Sequence, residues 1–142
     1  MKLMSSSFGH HQRIPEEFAF GAPDPVQHLR LSLNRNPHLR WSGAPSSAKS
    51  LVLVCVDTDV PTRADDVNRE GRSVPAALPR TDFHHWVVVD IPPSVSEIRE
   101  GACSDGITAR GKQAPAGPAG SRQARAPHPL AGSAAVPGRP AG

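Results

Sequence analysis

Ser50-Leu51-Val52-Leu53-Val54-Cys55-Val56-Asp57 is the stretch on which the fold turns. Six consecutive apolar residues, rich in Val and bounded by turn formers, read as a β-strand buried on both faces. On that reading Cys55 is core packing. A second run, His85-Trp86-Val87-Val88-Val89-Asp90-Ile91, has the same character and is stopped by Pro92-Pro93. Between the two, residues 60–82 hold three Pro, mixed charge and little apolar content, which predicts a long surface loop.

Working towards the N-terminus, Ser42-Gly43-Ala44-Pro45-Ser46-Ser47 is turn chemistry and His38-Leu39-Arg40-Trp41 reads as a short strand. Asn34-Arg35-Asn36-Pro37 is a further turn, and the partial alternation over residues 26–31 suggests a half-buried strand. Residues 1–25, interrupted by Pro15, Pro23 and Pro25, read as irregular. Towards the C-terminus, Ser94-Val95-Ser96-Glu97 has capping-box spacing, which predicts one helical turn ending at Gly101. Trp41 and Trp86 are expected in the core or a pocket wall, and His10, His11, His28 and His38 on the surface without a role. The expected class is mainly β.

The 142 residues carry a net charge of +3, but the charge is unevenly placed. Of the 31 residues 112–142, 20 are Ala, Pro or Gly, none is acidic, and Lys112, Arg122, Arg125 and Arg139 give +4. Residues 1–111 are therefore close to neutral, and no nucleic-acid footprint is expected on them. The tail is too poor in large apolar residues to offset chain ordering, so 112–142 is expected to be disordered beside a domain at 1–111. No run of 18 apolar residues occurs, and residues 1–11 lack an apolar leader core, so a soluble, cytoplasmic protein is expected. Two Cys 48 positions apart form neither a disulfide framework nor a zinc motif.

The candidate chemistry sits where the two apolar runs end. Asp57-Thr58-Asp59-Val60-Pro61 places two carboxylates on one side of an extended strand. Carboxylates that close need a donor between them. His84-His85 opens the second run, with its rings on opposite faces, so one imidazole can share a pocket with the Asp pair. Asp57, Asp59 and His85 also compose a small hydrolase or a metal-dependent enzyme as an alternative, although no close-spaced His/Cys pattern supports metal. The segment from Gly106 to Lys112 imitates a phosphate-binding loop. It is followed by Gln113 rather than Ser or Thr, and by Pro115 rather than a helix.

In their order, Asn36-Pro37-His38-Leu39-Arg40-Trp41, Ser50-Leu51-Val52-Leu53-Val54, Asp57-Thr58-Asp59-Val60-Pro61 and Phe83-His84-His85-Trp86-Val87-Val88-Val89-Asp90-Ile91-Pro92 resemble the phosphatidylethanolamine-binding protein family. The likeness is to its bacterial Raf-kinase-inhibitor-like branch, over residues 13–111. It implies antiparallel β-sheets and a small pocket for phosphate-like or carboxylate-like anions, lined by Asp57, Asp59, Pro61 and His85, with Phe83 and His84 beside them. It further implies a non-catalytic binding protein without cofactor or metal. Its partners would be a small phosphate-type anion, a phospholipid head group or a phosphorylated protein. The family has Pro at Thr58 and often Ala at Val60. Its later Gly/Pro-rich pocket segment and H-x-Y motif have no counterpart after Gly111, so a frameshifted or truncated product is expected there.

Overall fold

The computed structural model describes residues 1–67, 69–109 and 116–124. It contains eight strands and one 3-10 turn: β1 (Lys2–Met4), the turn Glu16–Phe18, β2 (Gly21–Asp24), β3 (His28–Leu31), β4 (Leu39–Ser42), β5 (Leu51–Pro61), β6 (Arg80–Ile91), β7 (Glu97–Ile98) and β8 (Arg122–Ala124). The mainly β expectation holds. Three sheets are ordered β1-β4-β7, β2-β3 and β5-β6-β8. The chain divides into two compact units, Met1–Val52 with Val88–Gln123, and Leu53–Val87 with the chain from Ala124.

The first unit holds the core: Ala22, Trp41, Val88, Ile91, Ile98 and Cys103 are buried. Its centre is an amide rather than a hydrocarbon. Asn36 is 6 % exposed, and its Nδ2 donates to the carbonyls of Pro37 and Arg99 at 2.9 Å each. Its Oδ1 accepts the amides of Cys103 at 2.7 Å and Ser104 at 2.9 Å. Its own backbone donates to Ser104 O and accepts from Gly101 N. Two donors and two acceptor positions are all used, the condition for burying an amide without penalty. The expected turn at 34–37 is therefore a structural pin.

Around it the same two segments are stitched further. Gly106 N donates to Leu33 O, and Ser104 Oγ to Asn34 O at 2.6 Å. Arg35 reaches Asp105 at 3.0 Å and Glu100 at 3.4 Å, and these carboxylates, Asp105 foremost, raise the affinity of its guanidinium for its proton. Gly106 holds φ +105°, a conformation open to glycine, so the imitation phosphate loop begins as a backbone clasp.

β4 pairs antiparallel with β1 (Leu3 opposite Trp41) and with β7 (Leu39 opposite Ile98). Trp41 N donates to Ser96 O at 2.9 Å, and its indole Nε1 to Val95 O at 3.0 Å. These bonds hold 95–98 extended, so the helical turn expected from Ser94 to Gly101 does not form. The tertiary partner outweighs the local capping pattern. His38 is not an idle surface residue either: Nδ1 accepts the Ser6 amide at 3.0 Å and Nε2 faces Glu97 at 3.2 Å, fixing the chain that follows β1.

β2 and β3 form a hairpin with Gly21 opposite Leu31, so residues 1–25 are not irregular throughout. Pro23 fits because a two-stranded sheet leaves each strand an edge where no N–H is required. The turn is closed by Asp24, whose Oδ1 accepts Gln27 N at 2.7 Å and Val26 N at 2.9 Å. Residues 28–31 are exposed, not half-buried.

β5 also departs from expectation. Val52, Val54 and Val56 are 56 %, 43 % and 40 % exposed, and Cys55 is exposed. The strand carries the apolar content of a two-sided core strand, but among the described residues no second layer covers these side chains. Between β5 and β6 the connection is a surface loop as expected, closed at its neck by Thr62 N to Pro79 O. Of the Ala/Pro/Gly-rich tail, residues 116–121 carry a turn and Arg122–Ala124 form β8, fastened by Arg122 to Asp90 at 2.5 Å. The rest of the tail expected to be disordered, 112–115 and 125–142, lies outside the described residues.

Two outcomes follow from the first unit. Asn36→Ala leaves the Cys103 and Ser104 amides and the Arg99 carbonyl without their partner, and should cost about 2–4 kcal/mol in a urea titration. The Asp24 carboxyl, held by the Gln27 and Val26 amides, titrates below the 3.8 of an unperturbed Asp. The stability it lends is present above that value and is lost as pH falls through the lower folded value, so hairpin amide exchange should rise only in strongly acid solution.

Candidate functional site

All the residues expected at the site fall within the second compact unit, on β5 and β6. These strands are hydrogen-bonded neighbours. Alternation along β5 gives Asp57 and Asp59 the same side, and alternation along β6 separates His84 from Phe83 and His85.

The structure brings Asp57 and His85 together, with Oδ2 3.8 Å from Nε2. That separation is longer than a hydrogen bond. The other oxygen of Asp57 is committed, because Oδ1 accepts the Asp59 amide at 2.9 Å. One carboxylate thus orients the imidazole while bracing its own strand. The Phe83 ring meets the His85 ring edge-on, with centroids 4.6 Å apart at 77°, which limits the rotation of the imidazole. Pro61 is half-buried at the end of β5, and His84 is exposed.

Asp59 does not join the Asp57/His85 pair. Its carboxylate faces Arg80, with Oδ1 3.8 Å from Nε, and its carbonyl accepts Arg80 Nη1 at 3.4 Å. Arg80 also donates from Nη2 to Pro75 O, so the guanidinium links the loop end, β5 and the start of β6. Arg80 is absent from the residues expected at the site. A basic residue at a loop end gives no sign of its target until β5 and β6 are known to be neighbours.

The cluster comprises two carboxylates, one guanidinium and one imidazole. Among the described residues no three His, Cys, Asp or Glu side chains gather in a way that could hold a metal ion. Cys55 precedes Asp57 by two residues on β5. Partial desolvation of its sulfur, and secondarily the Asp57 carboxylate, push its thiol above the ordinary 9.0. A thiol so placed is a poor nucleophile. No helix among the described residues is long and apolar enough to cross a membrane.

Comparison with known proteins bears on this geometry. A UPF0098 protein of Chlamydia muridarum is 33 % identical over 91 residues, covering 64 % of this chain and 52 % of the relative. The UPF0098 protein YbhB of Escherichia coli is 27 % identical over 101 residues, covering 71 % and 50 %. One from Methanothermobacter thermautotrophicus is 28 % identical over 100 residues, covering 70 % and 48 %. The chain spans about half the length of the curated relatives it matches. No solved structure matches it significantly. The family model described as phosphatidylethanolamine-binding protein matches residues 4–132, most of the first compact unit and all of β5 and β6. The chain belongs to the phosphatidylethanolamine-binding protein family.

Proposed function

We propose that this chain is a non-catalytic binding module that takes phosphate-type anionic groups beside His85. The observation that carries the reading is the Asp57/His85 pair on neighbouring strands, braced by the edge of Phe83 and flanked by Arg80. Asp57 holds the imidazole in place. Arg80 neutralises Asp59, which would otherwise repel an anion. A protonated His85 then supplies the donor an anion needs. Phospholipid head groups and phosphorylated side chains present the same chemistry, and a cytoplasmic, kinase-inhibitor-like role is part of this reading. Catalysis is not, because the Cys55 thiol beside Asp57 is held protonated and the charged groups pair with one another.

Titration of the full chain with inorganic phosphate, followed by amide NMR shifts, tests this. His85→Ala should weaken binding about tenfold or more, while His10→Ala leaves it unchanged. Arg80→Ala should weaken it too, by freeing the Asp59 charge. Equal affinity in all four proteins would defeat the proposal. Co-sedimentation with phosphatidylethanolamine vesicles then separates a lipid head group from free phosphate. Independently, Asp57→Asn should speed alkylation of Cys55 by iodoacetamide near neutral pH, because removing the carboxylate lowers the thiol's pKa. An unchanged rate would show that Asp57 does not act on the sulfur.

A further inference from the structure

We infer that β5 is a self-pairing edge, along which two copies of this chain join antiparallel about a two-fold axis at Val54. β5 stands at the end of the β5-β6-β8 order, so one side of an 11-residue strand has no strand beside it among the described residues. Val52, Val54 and Val56 alternate along it and are exposed. A long edge with an apolar face and no interior Lys or Pro is a template for another strand.

The sequence of the edge names its partner, because it complements itself when reversed. With Val54 opposite Val54 of a second copy, Val52 faces Val56 and Ser50 faces Thr58, hydroxyl against hydroxyl. Lys49, just before the strand, then lies across from Asp59. Lys49 is exposed, and the Asp59 side chain is 84 % exposed with Arg80 3.8 Å away, so Lys49 would share that carboxylate with Arg80. The registers two residues away are poorer. One sets Ser50 against Val56; the other sets Lys49 against Pro61 and Val52 against Thr58. Cross-strand pairs of like character are what stabilise one register over its neighbours.

In this register the two Val54 residues meet on the axis, and Leu53 of each copy lies opposite Cys55 of the other.

Sedimentation equilibrium of the full chain over a concentration series is the test. A reversible monomer–dimer equilibrium is expected, with Val54→Lys monomeric because two ammonium groups would face each other. Lys49→Glu should weaken the dimer about threefold, and Lys49→Glu combined with Asp59→Lys should restore it. Val54→Cys in a Cys55→Ser background should oxidise to a disulfide-linked dimer, whereas Val52→Cys in that background should not. The cross-link decides the matter even if Val54→Lys fails to fold. A monomer at every concentration, open-ended aggregates, or a dimer that survives Val54→Lys without cross-linking at position 54 would overturn the inference.

Discussion

The buried amide of Asn36 is the constraint on which the first compact unit depends. Three of its four side-chain hydrogen bonds tie residue 36 to 99–104, more than 60 positions away in the chain, and the fourth goes to the adjacent Pro37 carbonyl. An apolar residue of similar volume would remove all four bonds, to two amides and two carbonyls, and Asp would lose the donors that reach Pro37 and Arg99. With the pin in place the chain leaves Pro37 in register for Leu39 to meet Ile98, and Trp41 is brought to Ser96 and Val95. The order is physical as well as sequential: polar satisfaction fixes the path, and burial of Trp41 and Ile98 follows from it.

The second unit is governed by charge rather than burial. Asp59 lies 3.8 Å from the Arg80 guanidinium and Asp57 3.8 Å from the His85 imidazole, in surroundings where water still reaches them. Exposed pairs of this kind contribute little to stability. Their value lies in orientation. Asp57 Oδ1 fastens the backbone at Asp59 and Phe83 limits His85, so the imidazole is positioned without a close hydrogen bond to the carboxylate.

Much of the fold was legible. Both long strands, the short strand at Leu39–Ser42, the surface loop and the placement of the candidate residues on β5 and β6 follow from apolar runs, alternation and turn residues, which act locally. What escaped was set by distant partners. The Ser94-Val95-Ser96-Glu97 pattern reads as a helix start until Trp41 takes the Ser96 carbonyl. Arg80 reads as a loop cation until β5 stands beside it. Asn36 and His38 read as turn and surface, because a single sequence cannot show which carbonyls and amides will need a partner. The continuous run of β5 correctly announced a strand but not its exposure: burial belongs to the layer that covers a strand, not to the strand.

β8 sharpens that distinction. Whether a segment can bury apolar surface is a sound criterion for forming a core, and the tail fails it. Adding a strand to an existing sheet asks for less. The backbone bonds come from the sheet already present, and three residues suffice if one contact fixes their position. Arg122 supplies it, with Nε at 2.8 Å and Nη2 at 2.5 Å from the same Asp90 oxygen. Asp90 lies one residue before the end of β6 with φ 57°, in the left-handed region, and its carboxylate meets Arg122 of the returning chain. Composition thus answers whether residues 112–142 could form a core of their own. It does not answer whether a few of them can extend another sheet, because backbone pairing does not depend on the apolar content that composition measures.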